Sequence, residues 1–123
     1  MVGRSGAPDK ISLLRSVIVR RGEIWLATLD PTIGAEIQKT RPCVIISPPE
    51  LHDFLRIVTV APMTTGSRAA PYRIPLRFRR KNGLILLDQL RTLDKRRLMR
   101  RLGVVSDNTL RLTLAALREM FAE

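Results

Sequence analysis

The sequence predicts a mainly β fold, a small and strongly curved barrel or half-barrel with a closing C-terminal α-helix. From Gly22 onward, short apolar runs alternate with turn-forming residues, which is the rhythm of short strands joined by turns. Strands do not alternate with long helices, and this disfavours an α/β sheet. A chain of 123 residues is long enough to bury a core as one domain without disulfides or metals.

Five segments are predicted as strands: EIWLATL, RPCVIIS, LRIVTVAPM, YRIPLRFRR and LILLDQLRTL. The fourth alternates in the manner of a half-buried strand, and its basic face is expected to meet solvent. Its apolar face holds Tyr72, Ile74, Leu76 and Phe78, and its other face Arg73, Pro75, Arg77 and Arg79. Pro75 indicates a position near a sheet edge. The dipeptide Asn82-Gly83 predicts the turn into the last strand.

Two helical segments follow these strands. DKRRLMRR, which runs up to Gly103, predicts a short helix ended by glycine. SDNTLRLTLAALREMF predicts a longer helix with Leu110, Leu114, Leu117 and Phe121 on one face.

Residues 1–20 are predicted as a basic N-terminal extension, ordered at most in part, and residues 21–123 as the folded domain. The apolar stretch ISLLRSVIV is short, is split by Arg15 and lacks a small-residue cleavage site, so it does not predict a signal peptide. We therefore expect a cytoplasmic protein that does not insert into a membrane.

The charge of the chain points to a polyanionic partner. Lys and Arg number 22 against 11 acidic residues, a net charge of +11, which exceeds what solubility requires. Ten of the 22 basic residues lie between Arg77 and Arg101. Nucleic acid is the first candidate, an acidic protein segment the second and anionic lipid a distant third.

The sequence lacks the residues that several kinds of active site require. His52 is the only histidine, so a two-histidine acid–base pair within one chain is impossible. Cys43 is the only cysteine, which excludes an intrachain disulfide and a thiolate metal cluster. The acidic residues are scattered, with no pair at a spacing that demands a two-metal site, and this disfavours metal-dependent phosphodiester chemistry. We therefore expect no metal and no cofactor.

The strand ends carry residues suited to metal-free cleavage of RNA: Arg41, Thr64 and Asp88. A guanidinium can hold a phosphate and stabilise the added charge of its transition state, and a hydroxyl can orient a neighbouring oxygen. The 2′-hydroxyl of RNA is an internal nucleophile, so positioning it in line would give a cyclic phosphate and a 5′-hydroxyl.

Each of these residues also has a structural alternative. Arg41 can be a strand-entry residue with its charge in water, Thr64 can cap a turn, and Asp88 can pair with a nearby arginine such as Arg91. Among the remaining residues, His52 is expected in a loop, Trp25 in the core and Cys43 as a buried, inert thiol.

The ordered series GEIWLATLDPTIGAEIQKTRPCVIIS, VTVAPMTT and LLDQLRTLDKRRLMRRLG resembles the MazF/PemK family of toxins from type II toxin–antitoxin systems, from about Arg21 to the C-terminus. The resemblance implies an SH3-like, CcdB/MazF-like barrel that forms a homodimer. It also implies a sequence-specific, metal-independent endoribonuclease acting on single-stranded RNA. A MazE-like antitoxin, with a flexible and acidic C-terminal segment, would block the RNA groove.

The resemblance also assigns the site. The family's catalytic arginine and threonine match Arg41 and Thr64, and in one branch an aspartate before a glutamine, here Asp88, contributes as well. That branch carries an arginine two places before the aspartate, where this chain has Leu86. The loop from Thr32 to Thr40 is expected to border the groove, and the expected RNA-binding residues are Lys39, Thr65, Ser67, Arg68 and Arg91.

Two functions from other classes remain open: a non-catalytic nucleic-acid-binding barrel, and a CcdB-like toxin that poisons gyrase by contact. Neither requires Arg41 and Thr64 as a pair, so the matched pair favours the nuclease.

Overall fold

A computed structural model describes residues 18–29 and 40–123 of the chain. These residues form seven strands: β1 (Glu23–Thr28), β2 (Thr40–Ile45), β3 (Ile57–Thr64), β4 (Arg73–Phe78), β5 (Lys81–Leu86), β6 (Arg91–Asp94) and β7 (Leu98–Val104). The α-helices within the same ranges are α1 (Pro49–His52) and α2 (Asp107–Met120). Single turns of 3-10 helix lie at Leu87–Gln89 and Lys95–Arg97.

The strands form one antiparallel sheet in the order β4-β5-β3-β2-β1-β7, with β6 also paired to β3. Along one side of β3, the first half pairs with β6 and the last residues, Met63 and Thr64, pair with β5. This branching curls the sheet into a half-barrel, and α2 closes it at the C-terminus. The predicted fold class is therefore confirmed, and Pro75 lies on the edge strand β4 as expected.

The strands bury apolar side chains on both faces of the curled sheet, because neighbours along a strand point to opposite sides. One cluster includes Trp25, Cys43, Ile45, Val60 and Leu93. The other cluster includes Ile24, Val44, Ala61, Ile85 and Leu87, and α2 packs on it through Leu110, Leu117 and Met120. Phe121, which was predicted on the packed face of α2, is 71% exposed because the helix ends at Met120.

A buried carboxylate joins the start of the domain to β7. Glu23 accepts hydrogen bonds from the Arg20 amide at 2.9 Å and the Trp25 indole at 3.0 Å through one oxygen, and from Arg101 Nε at 3.0 Å through the other. Val19 is buried in the first cluster. The described end of the N-terminal extension is therefore packed on the core; residues 1–17 lie outside the described residues.

One helix prediction and one strand prediction were wrong. DKRRLMRR does not form a helix: after the turn at Lys95–Arg97, the chain enters β7, which pairs with β1 through Ala27–Leu98 and Trp25–Arg101. The segment LILLDQLRTL is not one strand either, because the 3-10 turn at Leu87–Gln89 divides it into β5 and β6. Pairing with distant strands outweighed the local preference in both places.

The predicted Asn82-Gly83 turn was also wrong, since both residues lie within β5. The chain turns instead through Arg79 and Arg80, whose φ angles of 53° and 67° lie in the left-handed region. A two-residue turn with both residues at positive φ is the kind that Asn and Gly normally occupy. The β4–β5 hairpin therefore carries backbone strain at two arginines.

The predictions for the single tryptophan, the single cysteine and the single histidine had different outcomes. Trp25 and Cys43 are buried in the core as predicted. Burial raises the pKa of the Cys43 thiol to about 12, against the opposing influence of Arg91 and Arg41. His52 is not an open-loop residue, because it is fully buried in α1 with Nδ1 at 3.0 Å from Ser47 Oγ.

Across the described ranges, we find no helix with both the length and the apolar character that crossing a membrane requires.

Replacing the strained pair, Arg79→Asn with Arg80→Gly, is expected to stabilise the protein by about 1 kcal/mol. The left-handed backbone costs about 1–2 kcal/mol at each ordinary residue, and lost Arg79 contacts offset part of the gain. Urea unfolding measures the change. Arg111→Gln with Arg118→Gln, on exposed positions of α2, removes the same charge without touching the hairpin. An equal rise in that control would contradict the strain argument.

Candidate functional site

The pairing of β2 with β3 brings Arg41 and Thr64 to one place. The described register pairs Cys43 with Pro62, and Arg41 and Thr64 stand two residues further along their strands in opposite chain directions. Two steps along a strand return a side chain to the same face, so Arg41 and Thr64 share a face. Both are half-buried, and both line one groove of about 650 Å³.

The groove is formed by the start of β2, the end of β3, the β4–β5 hairpin and β7. Its cationic side chains are Arg41, Arg79 and Lys81, and its hydroxyls are Thr40, Thr64 and Thr65. Apolar walls are provided by Met63, Leu76, Phe78 and Leu102. The groove thus combines positive charge, hydroxyl donors and an apolar wall, which is the mixture that a nucleotide chain requires.

The hydroxyl of Thr64 is already oriented by the chain that follows it. Its Oγ1 accepts a hydrogen bond from the Gly66 amide at 3.2 Å, so the TTG stretch is a side-chain-stabilised turn. The amide occupies an acceptor position and leaves the hydroxyl proton available for another oxygen. In the described ranges, the guanidinium of Arg41 makes no hydrogen bond or ion pair, and it is therefore also available to an anion.

Asp88 does not line this groove. Arg73 binds both of its carboxylate oxygens, with Nε–Oδ1 at 3.1 Å and Nη2–Oδ2 at 3.0 Å. Hydrogen bonding to Arg73 holds the pKa of Asp88 below its usual value, so the carboxylate is ionised at neutral pH. Because the folded-state pKa is lowered, this pairing contributes above the ordinary carboxyl pKa and is lost on acidification through the folded-state value.

The structural alternative for Asp88, a pairing with a nearby arginine, is present in the structure. The sequence analysis gave Arg91 as an example of such a partner, whereas Arg73 reaches Asp88 from β4, fifteen positions earlier. Arg73 stands opposite Leu86 in the β4–β5 register, and so a guanidinium approaches Asp88 from the neighbouring strand although position 86 is leucine. The same Arg73 donates through Nη1 to the Arg68 carbonyl at 3.2 Å, which ties the segment after β3 to the 3-10 turn.

The remaining sequence-predicted residues are dispersed. Thr65 lines the groove, whereas Ser67 and Arg68 are exposed on the connection to β4 and do not. Arg91 is half-buried on β6, on the Cys43 side of the sheet. Lys39 and most of the Thr32–Thr40 loop lie outside the described residues; Thr40 itself lines the groove.

The β4–β5 hairpin is a part of the site that was not predicted from the sequence. Phe78 was assigned to the core face and Arg79 to the solvent face of a strand, yet both line the groove. The missed signal is the pair Arg79-Arg80 at the point where the alternation of YRIPLRF ends.

Gly83 allows β5 to approach the end of β3 at this groove. A Cβ on Gly83 would lie 2.9 Å from the Thr64 carbonyl oxygen, closer than real Cβ contacts. Gly83 therefore serves a close approach between strands and is unavailable for the turn that Asn82-Gly83 would otherwise form.

Comparisons with known proteins point in one direction. A family model described as PemK-like, MazF-like toxin of type II toxin–antitoxin system matches residues 20–121. The chain is 41% identical over 81 residues to an Escherichia coli protein named endoribonuclease PemK, covering 62% of this chain and 61% of that relative's length. It is 36% identical over 97 residues to Staphylococcus epidermidis endoribonuclease MazF, covering 74% of this chain and 81% of the relative.

A solved structure shares the fold. It is described as an endoribonuclease in complex with its cognate antitoxin from Mycobacterial species, and the match has a TM-score of 0.70 and 22% identity. The match covers 83% of this chain and 93% of that one.

Gly83→Ala is expected to destabilise the protein by about 1–3 kcal/mol, since the new methyl group must push β5 away from the Thr64 carbonyl. Thermal and urea unfolding measure the loss. Gly66→Ala is the matched control at the same groove, because a Cβ there meets nothing within 4 Å. If both variants lose the same stability, the close approach at Thr64 is not the cause.

Proposed function

The chain belongs to the PemK-like, MazF-like toxin family of type II toxin–antitoxin systems, and on that premise we propose that it is an endoribonuclease that cuts single-stranded RNA without a metal ion. The observation that carries the proposal is the shared groove: Arg41 and Thr64, from two paired strands, line it together. The names of the two curated relatives, both endoribonucleases, support the same activity.

The proposed reaction uses the 2′-hydroxyl of the substrate as nucleophile. The 2′ oxygen forms a bond to phosphorus as the bond from phosphorus to the 5′ oxygen breaks. The 2′ proton passes to water, and the departing 5′ oxygen takes up a proton from water. The products are a 2′,3′-cyclic phosphate and a 5′-hydroxyl, and DNA, which lacks the nucleophile, is not cut.

Arg41 acts on the phosphate in this reaction. An arginine side chain stays protonated and offers a planar fork of donors, so its role is electrostatic: it binds the non-bridging oxygens and stabilises the charge that grows on them. Thr64 donates its hydroxyl proton to a phosphate oxygen, and the Gly66 amide keeps that hydroxyl oriented. Lys81, on the same groove, adds positive charge for the neighbouring phosphates.

Asp88 contributes by positioning. Both of its oxygens are bound to Arg73, and Arg73 also holds the Arg68 carbonyl, so the carboxylate fixes the segment that follows Thr64 and Thr65. This role differs from that of a general base, which needs a carboxylate oxygen within reach of the substrate.

We also propose the partners. A flexible acidic antitoxin segment would enter the groove and exclude RNA, because the groove is lined by cations and by an apolar wall. The solved relative in complex with its antitoxin supports this. The proposed assembly is a homodimer, which light scattering of the purified protein tests.

Arg41→Ala is expected to lower kcat by about 10²–10³-fold, the effect of removing one preorganised donor from a charged transition state. Thr64→Val, which keeps the shape and removes the hydroxyl, should lose roughly tenfold or more, and Thr64→Ser should retain activity. The measurement is cleavage of single-stranded RNA in EDTA, with the termini mapped. A 2′-deoxy residue at the cut position should block cleavage completely.

The same kinetic measurements distinguish a catalytic role of a residue from a general effect of its charge and from a positioning role. Arg77→Ala removes an exposed arginine of β4 that does not line the groove, and it should leave kcat unchanged. Asp88→Asn should raise KM several-fold and leave kcat within a few-fold of the parental value. If Asp88 were a general base, the same substitution would lower kcat by orders of magnitude. Parental activity in Arg41→Ala would contradict the proposal. RNA that is bound but never cut would indicate a binding barrel, and no interaction with RNA would favour the contact-toxin alternative.

An acidic peptide is expected to compete with RNA for the groove, and its affinity should fall roughly tenfold between low and moderate salt, since the attraction is electrostatic. The probe is a peptide of alternating Glu, Asp and Leu, measured by fluorescence anisotropy. The control peptide carries Gln and Asn in place of the acids. Equal binding of both peptides, or binding that salt does not alter, would contradict an electrostatic antitoxin contact.

A further inference from the structure

The two-residue turn at the tip of the β4–β5 hairpin has an unfavourable backbone conformation. Arg79 and Arg80 adopt left-handed φ angles of 53° and 67°, although Asn and Gly occur only two and three positions after Arg80. Backbone strain of this kind persists where the surrounding structure imposes it, and it clusters at ligand-binding positions. Arg79 of this pair lines the groove, whereas Arg80 does not.

The Arg79 side chain is held in one place by two contacts. Its guanidinium carbon lies 5.2 Å from the centroid of the Phe78 ring, and its Nη2 donates to the Leu102 carbonyl on β7 at 3.0 Å. The ring is itself seated on β7, since a Cβ on Gly103 would lie 3.0 Å from Phe78 Cε1. Phe78 and Arg79 therefore contact each other and join the hairpin to β7.

The groove beside these two residues is more apolar than a phosphate requires. Met63, Leu76 and Leu102 line it together with Phe78 and Arg79. Phosphate contacts use charged and polar donors, whereas an unpaired base is bound by stacking on aromatic rings or on guanidinium planes. An apolar wall next to a fixed guanidinium plane has the properties of a base-binding surface.

We propose that Phe78 and Arg79 form a nucleobase subsite, which stacks an unpaired base next to the linkage that Arg41 and Thr64 cleave. This subsite deepens the proposed ribonuclease function and rests on it. Arg41 and Thr64 act on the phosphate, which is identical in every nucleotide, and the subsite therefore contributes to the choice of sequence. The strained turn is retained because it holds Arg79 over the groove.

The chain offers a matched pair of variants to test this. Arg79→Asn and Arg80→Asn each remove one positive charge from the same turn and relieve the same left-handed strain, because Asn tolerates that conformation. Only the first removes a groove-lining side chain. Thermal unfolding is recorded for both variants, to verify that each keeps the parental fold.

The substrate is designed from the protein's own cleavage map. A long single-stranded RNA is cut, the cut site is identified, and short oligonucleotides are made with an abasic residue at each position flanking the cut. For the parent and Arg80→Asn, one abasic substitution should lower kcat/KM by about tenfold or more, the loss expected for one stacked base. For Arg79→Asn, the intact substrate should already be cut about tenfold less efficiently, and the abasic substitution should have little further effect.

A binding measurement gives an independent readout. The oligonucleotide carries 2-aminopurine at the sensitive position and a 2′-deoxy residue at the cut site, which prevents cleavage. Fluorescence should be quenched by the parent and by Arg80→Asn, and largely restored with Arg79→Asn.

The outcomes separate the two proposals. If the parent cuts RNA and both variants show the same abasic penalty, the subsite is wrong and the ribonuclease stands. The subsite is also wrong if no abasic position affects cleavage by the parent. If the parent cuts no RNA at all, the proposed function fails and the subsite fails with it.

Discussion

The antiparallel pairing of β2 with β3 is the constraint on which the site depends. It is fixed by the buried residues around Cys43–Pro62 and Ile45–Val60, which leave little room for another register. A slip of one residue in this register would move every buried side chain of the strand to the opposite face of the sheet. The same slip would separate Arg41 from Thr64, so the energy that fixes the core also fixes the geometry of the groove.

Part of this arrangement could be predicted from the sequence. Arg41 and Thr64 border clear apolar runs, and this pattern predicts that both residues stand at the ends of buried strands. The partner of Asp88 could not be predicted, because Arg73 reaches it only when β4 pairs with β5 and places Arg73 opposite Leu86. Pairings between distant segments leave no periodic pattern in the sequence, whereas the burial of one strand does.

The wrongly predicted turn and the wrongly predicted short helix have a common physical cause. Asn82-Gly83 is a stronger turn signal than Arg79-Arg80, yet Gly83 is needed where β5 passes the Thr64 carbonyl. The basic segment after Asp94 suits a helix by composition, yet it extends along β1, where Arg101 meets the buried Glu23 carboxylate. Tertiary contacts outweighed local preference at both places, and the first of them lies at the groove.

The distribution of ion pairs explains how a strongly basic chain keeps a receptive groove. In the described part of the chain, the carboxylates of Glu23, Asp88 and Asp94 are paired with Arg101, Arg73 and Arg96, and none of these arginines lines the groove. Arg41, Arg79 and Lys81 line it, and none of them has a carboxylate partner among the described residues. None of these three carboxylates lies among the residues that line the groove, so the described residues do not neutralise its positive charge. A polyanion that enters therefore displaces none of these carboxylates, and the cationic side chains of the groove compensate its charge.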